Sequence, residues 1–152
     1  MIAYSDFSIQ LDIAGDGWDK QRLEKLAYQM GLNNRIVWHG WCKGEKLEKL
    51  YNQSSAVIFP SVWHEPAGLI TLEAYARYRP IIASAVDGIP EHVRKETGIV
   101  VESNNIDQLA GAISDLSNDY QKSRVLGEQG HALLMQELTL EIHTQRLQRI
   151  YD

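Results

Sequence analysis

Five short apolar segments alternate with longer amphipathic segments along this chain of 152 residues. Apolar runs of this length, bounded by Gly, Pro or polar residues, are typical of strands buried in a parallel sheet. Regular alternation of such strands with helices predicts an α/β fold with helices on both faces of the sheet. The predicted strands are Ser8–Ala14, Ile36–His39, Ala56–Phe59, Pro80–Ser84 and Ile99–Glu102.

The segments between and after these strands carry apolar residues at helical spacing. The first helix, Asp19–Met30, begins at the N-cap candidate Asp19 and ends at Gly31. We predict one domain over residues 1–152: a Rossmann-like α/β core of about five parallel strands in residues 1–103, and a helical tail in residues 104–152. The other predicted helices are Lys46–Gln53, Gly68–Tyr78, Pro90–Arg94, Ile106–Ser117, Tyr120–Glu137 and Leu140–Tyr151.

The composition excludes several classes of protein. Hydrophobic residues make up 44% of the chain and charged residues 23%, which is ordinary for a folded domain and not for a disordered one. The single cysteine, Cys42, allows no internal disulfide and no Cys-rich zinc site, and it favours a reducing compartment. A net charge of −5 argues against a nucleic-acid partner. With no apolar run of bilayer length and no secretory signal, we expect a cytoplasmic protein.

The segment from Phe59 to Glu73 is the strongest candidate for a binding site. Ligands of open α/β sheets bind outside the carboxyl ends of the strands, and this segment leaves a strand there and enters a helix at about Gly68. The first N–H groups of that helix, from Gly68 to Thr71, have no acceptor within the helix and carry the positive end of its dipole. The sequence therefore predicts an anion site suited to a phosphate or diphosphate, with Thr71 adding a hydroxyl donor.

Two carboxylates flank this predicted anion site. Glu65 precedes the helix. Glu73 lies about five residues inside it, which places it roughly 7–8 Å from the helix start along the axis at 1.5 Å per residue. Carboxylates accept the hydrogen bonds that vicinal sugar hydroxyls donate, so the arrangement is suited to a sugar nucleotide. Each residue also has a purely structural interpretation: Glu73 can pair with Arg77 at i+4, and Glu65 can simply be favoured by the helix N-terminus.

Two further loops follow predicted strands. Gly15-Asp16-Gly17 forms either a tight turn or a turn that also lets a ligand approach the backbone. A dinucleotide fingerprint is disfavoured because Lys20 occupies the third glycine position and no acidic residue ends the next strand. Gly88 allows a turn with exposed N–H groups, or an ordinary strand-to-helix connection. The five histidines show no metal-ligand spacing.

These motifs, in this order, resemble the donor-binding half of retaining glycosyltransferases of family 4, which have two Rossmann-like domains in the GT-B fold. The resemblance covers most of residues 9–117, and the family's pair of glutamates at a spacing of eight matches Glu65 and Glu73. Ala67 and Asp87 depart from it, standing where an aromatic residue and the first of two glycines are usual. The matching segments are Ile13-Ala14-Gly15-Asp16-Gly17, Val37-x-x-Gly40, Pro60-Ser61, Glu65-Pro66-x-Gly68-Leu69, Leu72-Glu73-Ala74, Pro80-Ile81-Ile82-Ala83-Ser84, Gly88-Ile89-Pro90-Glu91 and Gly98-x-Val100.

The resemblance implies binding of a nucleotide-activated sugar (UDP-, GDP- or ADP-linked) for retaining transfer to a glycan or lipid-linked acceptor, with no metal and no other cofactor. Glu65 would contact the transferred sugar and Glu73 the ribose, as the two catalytic-site residues. The amides of Gly68, Leu69 and Ile70 would cradle the diphosphate, and the base would pack in the loops after His39 and around Val62. The remaining implied donor contacts are Gly15, Gly17, Gly40, Pro66, Ala67 and Thr71.

The resemblance also implies that the acceptor-binding N-terminal domain, and the first strand of the donor domain, precede this sequence in the family. We therefore expect the chain alone to be inactive, and to meet a membrane only peripherally, through the parent enzyme. Without that strand, which is central in a doubly wound sheet, we expect Ser8–Ala14 to pair directly with Ala56–Phe59. Two alternatives stay open: a stand-alone, non-catalytic nucleotide-sugar-binding module, and a GT-B-like sugar-nucleotide epimerase.

Overall fold

The computed structural model of the protein describes residues 9–151. The chain divides into two units, one up to Gln53 and one from Ser54 onward. Across the described range, no helix is both long and apolar enough to cross a bilayer.

From residue 9 onward, the first unit contains two strands and two helices: β1 (Leu11–Ala14), α1 (Lys20–Gln29), β2 (Ile36–Gly40) and α2 (Glu45–Gln53). β1 and β2 are parallel, and the register shifts by one residue after Ile13. The predicted N-cap residue Asp19 does precede α1, but its carboxylate caps no backbone N–H. Instead it accepts a hydrogen bond from Arg22 Nε at 2.6 Å. This bond and the nearby positive charge hold the pKa of the Asp19 carboxyl below its ordinary value.

The second unit is a parallel sheet with helices around it, built from the strands β3 (Val57–Phe59), β4 (Ile81–Ser84) and β5 (Gly98–Val101) in the order β3-β4-β5. The fully buried β4 is the central strand. The helices of this unit are α3 (Leu69–Ala76), α4 (Ile89–His92), α5 (Ile106–Asn118), α6 (Tyr120–Glu137) and α7 (Leu140–Tyr151).

Alternate side chains of β4 pack into two cores on opposite faces of this sheet. Ile81 and Ala83 join the cluster that contains Tyr75 of α3 and Leu133 of α6. Ile82 joins a second cluster, formed with Val101 and with residues of α5 and α6. Two filled faces explain why β4 is buried at every position and apolar from Ile81 to Ala83, as expected for a strand covered on both sides.

The predicted α/β class with parallel strands and surrounding helices is confirmed, but the predicted single sheet is not. Within residues 9–151 the five strands form two sheets, so the expected ladder between Ser8–Ala14 and Ala56–Phe59 is absent. Leu11, Asp12 and Ala14 of β1 are exposed. The prediction failed because the apolar pattern of a strand does not specify which strand it pairs with. Ser8 itself lies outside the described residues.

Two glycines of α6 bring that helix very close to α3 and the turn after it. A Cβ atom at Gly127 would lie 2.1 Å from the carbonyl oxygen of Tyr78, and one at Gly130 would lie 2.4 Å from the Tyr75 ring. Tyr78 adopts a left-handed conformation (φ 56°), and its ring stacks on His131 of α6 with a centroid distance of 3.8 Å. α6 therefore fixes the C-terminal end of α3.

Candidate functional site

The N-terminal end of α3 begins at a left-handed glycine. Gly68 has φ 60° and ψ 62°, occupies the N-cap position and provides no side chain to cap the helix. A Cβ atom here would lie 3.1 Å from Phe59 Cε1 and 3.2 Å from Ile89 Cγ1, so both space and backbone conformation favour glycine. Leu69 and Ile70, which carry the next N–H groups, are exposed. The Thr71 N–H donates a hydrogen bond to the Gly68 carbonyl oxygen at 2.8 Å, so it is not one of the free donors that the sequence predicts. The amides of Gly68, Leu69 and Ile70, together with the positive end of the helix dipole, remain the candidate anion site.

Thr71 is placed differently from its neighbours. Its side chain is fully buried, and its Oγ1 has no hydrogen-bond partner among the described residues. That atom lies 3.6 Å from the position of a Cβ on Gly68, beneath the helix N-terminus. A buried hydroxyl without a partner costs free energy, so the site retains an unsatisfied polar group just below its exposed donors.

The two predicted carboxylates come before and after this helix start along the chain. Glu65 is half-buried in the loop between β3 and α3, and Ser61 Oγ lies 3.4 Å from its Oε1. Glu73 is exposed on α3, and Arg77 Nη1 donates a hydrogen bond to its backbone carbonyl at 2.8 Å.

The loop that carries Glu65 is held against the loop between β4 and α4. Gly88 N–H donates a hydrogen bond to the Glu65 carbonyl oxygen at 3.2 Å. A Cβ atom at Gly88 would lie 2.1 Å from the Pro66 carbonyl oxygen, so only glycine allows this approach. His64 Nδ1 and Asp87 Oδ2 are 2.7 Å apart. Sequence reasoning missed this pairing of loops; the Asp-Gly dipeptide directly after a strand was the available signal.

The other predicted residues of this second unit border the same loop. Val62 is exposed to 65%, Ala67 is half-buried and Pro66 is exposed. Trp63, which was not among the predicted residues, is exposed to 74%. The loop therefore presents apolar surface beside the helix N-terminus.

The predicted residues of the first unit cluster at the ends of β1 and β2. Gly15 N–H donates to the Gly40 carbonyl oxygen at 2.8 Å, and Gly40 has a positive φ of 64°. His39 Nε2 lies 2.6 Å from Asp12 Oδ1, a cross-strand pair that the sequence did not indicate. Gly17 N–H is bonded to the Asp16 side chain at 2.9 Å. These contacts fit the tight-turn interpretation of the Gly15-Asp16-Gly17 loop.

Among the described residues, no three His, Cys, Asp or Glu side chains come together in a way that could hold a metal ion. The independence from metal that the resemblance implies stays a prediction.

A helix N-terminus at the carboxyl edge of a parallel sheet, with Glu65 before it and Glu73 within the helix, is an arrangement suited to an anionic, hydroxyl-bearing ligand in an α/β protein. Residues 3–132 match the family model described as glycosyl transferases group 1. The chain belongs to this family, which confirms the predicted class of protein, a glycosyltransferase.

Individual relatives and structures agree with this assignment. An uncharacterized glycosyltransferase of Methanocaldococcus jannaschii is 38% identical over 112 residues, which are 73% of this chain and 28% of the relative. A GDP-mannose-dependent monoacylated α-(1-6)-phosphatidylinositol monomannoside mannosyltransferase of Corynebacterium glutamicum is 36% identical over 149 residues, 93% of this chain and 38% of the relative.

The crystal structure of Anabaena HepE in complex with UDP-glucose shares the fold, with a TM-score of 0.82 at 22% identity over 93% of this chain and 40% of that one. The GT-B fold predicted from the resemblance is thereby supported. The chain spans about a third of the length of the curated relatives it matches, 28% and 38% in the two cases above.

Proposed function

We propose that this chain binds the nucleotide-sugar donor of a retaining glycosyltransferase of family 4. The observation that carries the proposal is the uncapped N-terminus of α3 at left-handed Gly68, which directly follows the loop that holds Glu65. Exposed amides with a positive dipole end are suited to a diphosphate, and the flanking carboxylates are suited to hydroxyl groups on both sides of it.

Each residue of the second unit has a separate role in this proposal. The amides of Gly68, Leu69 and Ile70 bind the diphosphate, and Thr71 supports that site from below. Glu73 accepts hydrogen bonds from the ribose hydroxyls, and Glu65 contacts the transferred sugar. Val62, Pro66 and Ala67 contribute surface beside the donor. The roles of Gly15, Gly17, His39 and Gly40 remain predictions from the resemblance.

We further propose that the complete reaction is transfer of a hexose, with retention of configuration, to a glycan or lipid-linked acceptor in the cytoplasm. Because the chain matches only about a third of its relatives' length, we assign acceptor binding to a second domain of a larger enzyme. Exclusion of water and alignment of the acceptor depend on that domain, so this chain alone is expected to transfer no sugar.

A ligand screen tests the proposal directly. UDP, GDP, ADP and their glucose or mannose conjugates are added to the chain, and thermal unfolding is followed. A ligand present at 100 times its Kd stabilises the folded state by about 2.7 kcal/mol, which corresponds to a rise in Tm of roughly 5–10 °C for a domain of this size. Stabilisation by none of these compounds would contradict the proposal.

Three glutamine variants then separate the roles of the carboxylates. Glu73→Gln is expected to weaken binding of the free nucleotide and of the nucleotide sugar alike, because both contain the ribose. Glu65→Gln is expected to weaken only the nucleotide sugar. Glu141→Gln, an exposed substitution on α7, is the matched control and is expected to bind as the wild type does. Equal behaviour of all three variants would refute the assigned roles.

A further inference from the structure

Two consecutive loops at the carboxyl edge of the second sheet contact each other at three successive positions. The His64 ring approaches the Asp87 carboxylate at 2.7 Å. The Glu65 carbonyl accepts a hydrogen bond from Gly88 N–H at 3.2 Å. The Pro66 carbonyl oxygen lies 2.1 Å from the position that a Cβ atom on Gly88 would occupy. Three consecutive residues of the loop that carries Glu65 therefore contact the neighbouring loop. Of these three contacts, His64–Asp87 is the one between side chains.

Asp87, the acceptor in this pair, has a backbone conformation that few residues adopt. Asp87 has a φ of 41°, a left-handed value that Asp, Asn and Gly adopt more readily than other residues. Val86 N–H bonds to Ser84 O at 2.9 Å and Ile89 N–H to Val86 O at 3.0 Å, which fixes the turn on both sides. A glycine at this position would keep the turn but would offer His64 no acceptor.

His64 lies on the same loop as Glu65, the carboxylate that the proposed function assigns to the donor sugar, and Asp87 lies on the neighbouring loop. His64 precedes Glu65 directly, so a bond from its ring limits rotation of the backbone that carries the Glu65 side chain. Ser61 approaches that side chain from the other end of the loop, at 3.4 Å from Oε1. Glu65 is thus held from both directions along its own chain.

We propose that His64 and Asp87 form a positioning pair that fixes Glu65 for the transferred sugar. This inference rests on the proposed function, in which Glu65 contacts the sugar and not the nucleotide. His64 acts through Glu65, so the pair contributes to binding of the sugar moiety and contributes little to binding of the nucleotide.

The first experiment needs no ligand. Amide hydrogen exchange at Gly88 reports whether the two loops stay joined. His64→Ala and Asp87→Gly are each expected to raise the exchange rate of the Gly88 amide about three- to fivefold, the effect of losing one solvent-exposed side-chain pair. Asp87→Gly leaves the left-handed turn unstrained, so it removes only the carboxylate. His64→Asn and Asp87→Asn keep a donor or an acceptor at the same place and are expected to restore the wild-type rate. His143→Ala, on exposed α7, is the control.

The second experiment measures affinity for UDP-glucose against UDP, and for GDP-mannose against GDP, by calorimetry. His64→Ala and Asp87→Gly are expected to lower the affinity for the nucleotide sugar about three- to fivefold and to leave the affinity for the bare nucleotide unchanged. Adding His64→Ala to Glu65→Gln is expected to cost nothing further, because His64 acts through Glu65. The double variant His64→Ala/Asp87→Gly is expected to have the same affinity for the nucleotide sugar as either single variant.

The possible results separate this inference from the proposed function. If the wild type binds none of the four probes, the proposed function fails, and Gly88 exchange alone decides whether the pair joins the loops. If the wild type binds but the variants lose nucleotide and nucleotide sugar equally, His64 and Asp87 have only a structural role and the inference is overturned. Unchanged exchange and unchanged affinity overturn it as well.

Discussion

Replacing Gly127 by alanine tests whether α6 fixes the end of α3 that lies opposite the candidate site. The new Cβ would lie 2.1 Å from the Tyr78 carbonyl oxygen, 2.8 Å from its carbonyl carbon and 3.3 Å from Pro80 Cδ. The two nearest atoms belong to backbone in a left-handed turn that leads into the buried strand β4, so no side-chain rotation can relieve the overlap. The helix or the turn must move by roughly 1 Å to reach normal contact distances.

The magnitude follows from two opposing contributions. Overpacking of this kind costs about 1–3 kcal/mol, and the upper end applies because the overlapping atoms are backbone. Replacing glycine by alanine within a helix returns about 1 kcal/mol. We therefore expect Gly127→Ala to lower the free energy of unfolding by about 2 kcal/mol. Gly111→Ala is the matched control: Gly111 lies inside α5 with no atom within 4 Å of its Cβ position, so it is expected to stabilise the protein by about 0.5–1 kcal/mol.

Urea unfolding followed by far-UV circular dichroism measures both variants on the same scale. Opposite shifts of the midpoint, with m-values unchanged, are expected. In thermal unfolding the two variants should differ by roughly 5–10 °C, at 2–4 °C per kcal/mol. If Gly127→Ala is as stable as the wild type, or if both alanines shift stability in the same direction, the close packing of α6 against Tyr78 is wrong.

Two further predictions concern buried polar groups near α3. Thr71→Val is expected to raise the free energy of unfolding by about 1 kcal/mol, because it removes a buried hydroxyl that has no partner among the described residues. The same change is expected to weaken binding of UDP. Loss of stability in a urea titration would contradict this prediction. Burial raises the pKa of Tyr75 to about 12, opposed by its hydrogen bond with Thr97. The folded state thus holds the Tyr75 proton more tightly than an unfolded tyrosine, whose pKa is about 10. The contribution of Tyr75 to the free energy of unfolding is therefore complete below pH ~10 and is lost as the pH rises toward ~12. Stability measured from pH 9 to 11 should fall less steeply in Tyr75→Phe than in the wild type, and parallel profiles would refute the assignment.

Local sequence signals account for most elements of the fold. α6 and α7 have the predicted bounds, and α5 extends only one residue further than predicted, to Asn118. Each of these helices depends on periodicity and end signals within its own segment, which a sequence displays directly. Gly31, predicted to end the first helix, follows α1 with a positive φ of 71°. The α3 start at Gly68 follows from the same kind of local signal.

Contacts between distant segments could not be predicted in this way. The pairing of β1 depends on which strand edges meet, and the apolar character of Ile13 and its neighbours does not specify a partner. The His64–Asp87 pair joins residues that are 23 positions apart, through two irregular loops. The sequence indicated only that Asp87 occupies a position where glycine is usual in the family. The left-handed φ of 41° explains that preference, and it explains why an aspartate is tolerated there.

The two ends of α3 explain how this short helix can serve as a binding element. At the C-terminal end, the Tyr75 carbonyl oxygen accepts hydrogen bonds from the Tyr78 N–H at 3.0 Å and from His131 Nδ1–H at 3.1 Å, which joins the last turn of the helix to α6. The Tyr75 hydroxyl is fixed by Thr97 at 2.6 Å and by the His92 carbonyl at 3.1 Å. The N-terminal end has no capping side chain, so its unsatisfied donors are already oriented before any ligand arrives. Binding of a diphosphate there would cost little conformational entropy of the protein, because the helix is fixed from the opposite end. Nucleotide affinity should therefore depend mainly on how firmly α6 holds α3, and sugar selectivity on the two loops joined at Gly88.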